Sequence, residues 1–155
     1  MEKRLVWSAA QGALAGVLGT LALDASEGVE GRLLGRTPVY APSRIARRLA
    51  SRVEWLPKRR RAVQRLGTVL RWAYGPGLGL LYGLLRPRLP GGAVRKGLAL
   101  AVGVLAFERI AMPAVGAVPP FAAWPRREKA LLAAHTALYG LCAEAGFRAL
   151  RGALG

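Results

Sequence analysis

Asparagine is absent from this 155-residue chain, and cysteine, histidine and aspartate occur once each, as Cys142, His135 and Asp24. A single cysteine has no intrachain partner, which excludes a disulfide scaffold and leaves Cys142 as a packing residue on an apolar helix. One histidine and one cysteine without ligand spacing exclude the common zinc sites, so no metal site is expected. There is no Gly-x-Ser-x-Gly elbow and no phosphate loop. The chain therefore reads as a non-enzyme with no cofactor. Acidic residues are scarce as well, 8 against 24 Lys and Arg, for a net charge of +16. Long polar stretches are missing too. The chain is 53% hydrophobic, with a mean hydropathy of +0.26, which excludes intrinsic disorder.

What is present is a set of charge-poor runs. Leu5 to Leu23 is nineteen residues without an ionisable side chain. As a helix it is about 28 Å long, close to the roughly 30 Å hydrocarbon core of a bilayer. Leu66 to Leu85 is broken only by Arg71, and Gly97 to Val118 only by Glu108 and Arg109. Ala130 to Phe147 carries Glu144 as its one formal charge. Strand alternation is absent and Ala and Leu dominate, so helices are expected. The sequence predicts an all-α polytopic membrane protein of one domain, residues 1–155. Its four transmembrane helices lie at about 5–23, 66–85, 97–118 and 130–147. A soluble bundle would place polar residues every third or fourth position, and the first run does not. A cleaved signal peptide would have a shorter apolar run and an A-x-A site.

The 42-residue connection Asp24–Arg65 holds 11 basic residues. Within it Ser43, after Pro42, is expected to N-cap a helix. Ile45, Leu49, Val53 and Leu56 fall on one side of that helix, with Arg44, Arg47, Arg48 and Arg52 on the flanks and far side. This is the pattern of a basic amphipathic interfacial helix. Pro57 should stop it, and Lys58, Arg59, Arg60 and Arg61 follow. A polybasic run beside a span attracts anionic lipid at about 1 kcal/mol per charge. Lipid headgroups, rather than nucleic acid, are the expected partner of these eight residues.

The spans resemble two copies of one hairpin. Tyr74-Gly75 and Tyr139-Gly140 are 65 residues apart, and Tyr82 corresponds to Phe147 at the same offset. The connector from Pro38 through Tyr40 and Pro42 to Arg44 resembles that from Pro119 through Phe121 and Pro125 to Arg126. Ser8, Gly12, Gly16 and Thr20 recur every four residues, as do Gly75, Gly79 and Gly83. Small-residue ladders let helices approach closely in lipid. These should join the first two spans to each other or to a second protomer.

Gly12-x-x-x-Gly16-x-x-Gly19-Thr20, then Gly35-Arg36-Thr37-Pro38, then Trp72-x-Tyr74-Gly75 with Gly79 and Tyr82, then His135-x-x-x-Tyr139-Gly140 come in an order that resembles the YagU-like family of small bacterial inner-membrane proteins. The resemblance implies an integral membrane protein of undefined activity and supplies no catalytic residues. The family pattern has a histidine before the first Trp-x-Tyr-Gly, where this chain has Arg71.

Ionisable groups within spans are costly and normally face a partner or a cavity. Arg71 and His135 lie five residues into their spans, about 7–8 Å deep, and Glu108 about 15 Å deep from the same side. They are expected to form a polar cluster with Tyr74 and Tyr139, with Asp24 at its mouth. Its bland form is a structural Arg71–Glu108 ion pair. Arg109 either joins the cluster or faces the headgroups, helped by carbonyls freed at Pro113. Glu144 reads as a local pair with Arg148, four residues on.

The long connection's side carries 14 basic residues outside the spans, the other side 8. That places the connection in the cytoplasm and both termini outside, although Lys3 and Arg4 before the first span argue the reverse. The function that follows is a structural or interaction protein of the bacterial inner membrane. A small transporter or proton-linked channel using Arg71, Glu108 and His135 is the alternative, and a soluble nucleic-acid binder comes last.

Overall fold

The computed structural model is all-α and describes residues 2–35, 42–56, 58–114 and 116–154. Five helices follow in order: α1 (Glu2–Leu34), α2 (Pro42–Arg52), α3 (Arg60–Leu85), α4 (Ala93–Ala114) and α5 (Arg126–Leu154). Two short 3₁₀ turns, Arg86–Arg88 and Phe121–Ala123, complete them.

Each helix runs further than its apolar run, or stops where a specific residue stops it. At 33 residues, α1 is about 50 Å long, well beyond a bilayer core. It does not end at Leu23 as the charge pattern suggests. It continues to Gly35, whose φ of +61° and N–H bond to the Gly31 carbonyl at 3.0 Å form a left-handed cap. Asp24, Glu27 and Glu30 thus lie on one helix at spacing three, on one face, rather than in a loop. The expected third span ends at Ala114, not Val118. Gly116 takes φ +67°, its N–H bonds the Pro113 carbonyl and that of Ala117 bonds Met112, both at 2.9 Å. That pair of hydrogen bonds is a Schellman ending, and it turns Val118 into a buried connector residue. On α2, Ser43 sits inside the first turn behind Pro42 and is not the cap. The helix ends at Arg52, so Val53 and Leu56 belong to the turn after it. Pro57 and the connector residues Arg36, Thr37, Pro38 and Tyr40 lie outside the described residues.

Helix α1 packs between α3 and α5, α4 packs on α5, and α2 lies on α3. The α1–α3 contact is made by glycines running antiparallel. A Cβ on Gly16 would stand 2.6 Å from the Gly75 carbonyl oxygen, and one on Gly12 would collide with Gly79 and lie 2.7 Å from Gly83 Cα. The ladders therefore face each other within one chain. Gly97 meets Gly140 in the same manner between α4 and α5.

The surface of the bundle carries large apolar side chains, and its interior holds charged ones beside the apolar core. The largest fully buried side chains are Phe147, Glu144 and Thr20. Meanwhile Val6, Val69, Val102 and Ile110 are each more than 60% exposed. A soluble domain buries such residues, whereas a lipid-facing surface needs them outside. Three helices, α1, α4 and α5, are long and apolar enough to cross a membrane. The sequence suggests four. The helix that falls short is α3, because Arg60, Arg61, Arg65 and Arg71 load its first half and four glycines dilute the rest.

Candidate functional site

A cavity of about 260 Å³ opens among α1, α3, α4 and α5. Glycine contacts hold α3 against α1, while α3 and α4 share no extended backbone approach. Below the cavity their side chains close the gap, with Tyr82, Leu100, Val104, Tyr139 and Ala143 in one cluster. Above it Ile45 and Leu49 of α2, with Val118 and Trp124, form a roof. The roof is held by two apolar clusters. Ala46 and Ala50 pack on Val63, and Ile45 packs with Val118, Trp124 and Leu132. The apolar face of α2 therefore meets protein and the cavity, while its arginines stay exposed on the other side.

The walls are mainly apolar, and five of the six residues expected to cluster line them: Arg71, Tyr74, Glu108, His135 and Tyr139. Asp24 is at the edge, as expected, with its side chain 41% exposed. The pairing differs from the expected Arg71–Glu108 bridge. Arg71 Nη1 donates to Glu27 Oε2 at 2.8 Å. Its Nε lies 2.6 Å from Asp24 Oδ1, a charge contact without hydrogen-bond alignment. His135 Nε2 lies 3.5 Å from Glu30 Oε2. The acidic face of α1 thus takes up both cationic candidates. The α1 extension explains this: three carboxylates at spacing three face α3 and α5, where Asp24 and Glu27 meet Arg71 and Glu30 meets His135.

Glu108 has no ion pair among the described residues. Oε1 accepts a long bond from the Tyr74 hydroxyl at 3.4 Å, and Oε2 is buried without any hydrogen-bond partner. Tyr139 directs its hydroxyl elsewhere, to the Gly75 carbonyl oxygen at 2.5 Å. Arg109 points outward and stacks on Phe121, 4.7 Å from the ring centroid. It is not a cluster member.

A second ionic site lies toward the other end of the bundle. Glu144 is 2% exposed and is not paired locally with Arg148. Arg86 grips it with two bonds, Nε to Oε2 and Nη2 to Oε1, both 2.7 Å. Tyr82 donates a third at 2.5 Å. Those bonds to Glu144 hold the Arg86 guanidinium above its ordinary range, so it stays charged. Its plane also lies over Phe147, at 4.5 Å. The sequence signal for this site was Glu144 itself, a carboxylate inside an apolar run. Glu27 and Glu30 follow the charge-free run Leu5–Leu23 in the sequence, so the span pattern does not mark them.

The eight basic residues expected at headgroups, Arg44, Arg47, Arg48, Arg52, Lys58, Arg59, Arg60 and Arg61, are all exposed. Arg47, Lys58 and Arg60 border one groove between α2 and α3, together with Ser43 and Gln64. Arg52 lies against Gly116, where a Cβ would collide with its guanidinium. Comparison with protein-family models, curated proteins and solved structures finds no match for the chain.

Proposed function

We propose that this chain is a small multi-pass protein of the bacterial inner membrane that binds a small amphipathic solute between its helices. The observation that carries the reading is the roofed, mainly apolar cavity with a few convergent polar groups, the usual form of a small-molecule site. The exposed apolar side chains and the three long apolar helices support the membrane setting. In this reading α3 is a fourth span. It runs antiparallel to α1 along the glycine contact, so a membrane crossed by α1 is crossed by α3 as well. Exposed Val69, Leu81 and Leu85 on α3 suit lipid contact. The order of the Gly12–Thr20, Trp72–Gly75 and His135–Gly140 segments suits the YagU-like resemblance, and the matching Gly16–Gly75 and Gly97–Gly140 contacts suit two related hairpins. The exposed arginines beside α2 would seat the roof on anionic headgroups of the cytoplasmic leaflet.

The test uses N-phenyl-1-naphthylamine, a neutral fluorescent amphiphile, with the full chain in nanodiscs. Saturable binding above that of empty discs is expected. Thr136→Phe and Val104→Phe fill the cavity from α5 and α4 and should weaken binding at least tenfold, with helicity retained by circular dichroism. Equal binding by the filled variants and the wild type would refute the reading.

A further inference from the structure

The cavity reading leaves open which solute fits, and the charges around the cavity narrow it. The chain has eight acidic residues in a background of +16. Half of them, Asp24, Glu27, Glu30 and Glu108, gather around this one cavity, Glu27 and Glu108 in its wall and Asp24 and Glu30 through Arg71 and His135. Against four carboxylates stand one arginine and one histidine, and the histidine is charged only when protonated. The arginine already has two carboxylates within 3 Å. An anionic solute would meet an arginine already engaged by two carboxylates. Glu108 is the opposite case: the residue stands in the cavity wall, and its Oε2 is buried without a hydrogen-bond partner. A carboxylate in that position is costly inside a membrane unless something positive reaches it.

We infer that the solute is an organic monocation, an ammonium head on an apolar body, with Glu108 as its counter-ion. This rests on the cavity reading above. The remaining walls fit such a guest. Tyr74, Tyr139 and Trp124 line the same space, and aromatic faces attract ammonium groups once water is excluded. Leu78, Val104, Met112 and Leu132 supply apolar surface for the body. A multivalent metal ion does not fit, because no group of three or more His, Cys, Asp or Glu among the described residues could hold one.

The experiment is displacement of N-phenyl-1-naphthylamine from the full chain in nanodiscs of neutral phosphatidylcholine. Phenyltrimethylammonium and benzenesulfonate share a ring and differ in the sign of the head. The cation should displace the fluorophore at a concentration at least tenfold below that needed for the anion. Glu108→Gln should reduce the affinity for the cation relative to that for the fluorophore at least tenfold. Equal displacement by cation and anion, or an unchanged affinity ratio in Glu108→Gln, overturns the inference and leaves the cavity reading standing. If the fluorophore itself fails to bind the wild type, the cavity reading falls and this inference with it. The comparison of the two heads needs no variant, so a Glu108→Gln chain that fails to fold does not spare the proposal.

Discussion

The Tyr139 hydroxyl on α5 donates to the Gly75 carbonyl oxygen on α3 at 2.5 Å. The two residues are 64 apart in sequence and hold the floor of the cavity together. Gly75 precedes Pro76, and proline inside a helix removes one ladder hydrogen bond and bends the axis. The Tyr139 hydroxyl ties α5 to α3 at the carbonyl beside that break. Tyr139→Phe deletes one buried hydrogen bond, worth about 0.5–1.5 kcal/mol. In a thermal melt of the purified protein this should appear as a drop of a few degrees. Tyr74→Phe should cost less, because its bond to Glu108 is 3.4 Å long. Equal losses from the two changes would show that the Tyr139 bond is not a tie.

The glycine contact makes a sharper contrast within one helix. A Cβ at Gly79 would collide with the Gly12 carbonyl and stand 2.6 Å from Gly16 Cα, backbone against backbone. At Gly77, two residues away on the other face, a Cβ meets nothing within 4 Å. Gly79→Ala must push α1 and α3 apart and should lower both the yield of folded protein and its melting temperature. Gly77→Ala removes a helix-weakening glycine and should be neutral or stabilising by up to about 1 kcal/mol. The pair is checked by size-exclusion profile and melting temperature. Comparable damage from both would mean that α1 and α3 do not meet through this face.

These two predictions draw on the part of the fold that was legible in the sequence. Spacing-four glycines on two apolar runs announce a close helix pair, and Arg71, Glu108, His135 and both tyrosines announce a shared polar site. The pairing inside that site was not legible. Counting depth along each helix placed Arg71 and Glu108 within reach of one another, but it assumed that α1 stops at the first charge. The cap at Gly35 moves that end by eleven residues, from Leu23 to Leu34, and so brings Glu27 to Arg71 and Glu30 to His135. The roof was hidden for a related reason. An amphipathic helix shows which side is apolar, and periodicity alone does not say whether lipid, α3 or a cavity lies against it. Arg86 holding Glu144 joins two helices 58 residues apart, which no local pattern records.

Arg71 should behave as the hub of a cluster with α1, not as the partner of Glu108. Arg71→Gln leaves Glu27, 17% exposed, and Asp24 without their cation. Breaking a buried pair from one side costs about 3–5 kcal/mol, less where water reaches one partner, as it does Asp24. Adding Glu108→Gln to Arg71→Gln should therefore give no recovery. Adding Glu27→Gln should recover part of the loss, because it removes the more buried of the two stranded carboxylates. Folded yield from the same membrane preparation decides the question. Rescue by Glu108→Gln with none from Glu27→Gln would restore the Arg71–Glu108 pair.

The Arg86–Glu144 pair should respond unequally to removal of its two ends. Arg86 sits just past the end of α3, and its long side chain can swing toward headgroups if Glu144 is neutralised. Glu144 lies within α5, 2% exposed, and has nowhere to go if Arg86 is removed. Arg86→Gln therefore strands a buried carboxylate and should cost about 3–5 kcal/mol. Glu144→Gln should cost distinctly less, since the amide still accepts from Tyr82 and Arg86 finds another anion. The double variant Arg86→Gln/Glu144→Gln should fall close to Glu144→Gln alone and well above Arg86→Gln. Melting temperatures of the three variants and the wild type in one detergent complete the cycle. Additive losses would mean that the two side chains are not coupled, and a larger loss from Glu144→Gln than from Arg86→Gln would reverse the assignment of which partner is trapped.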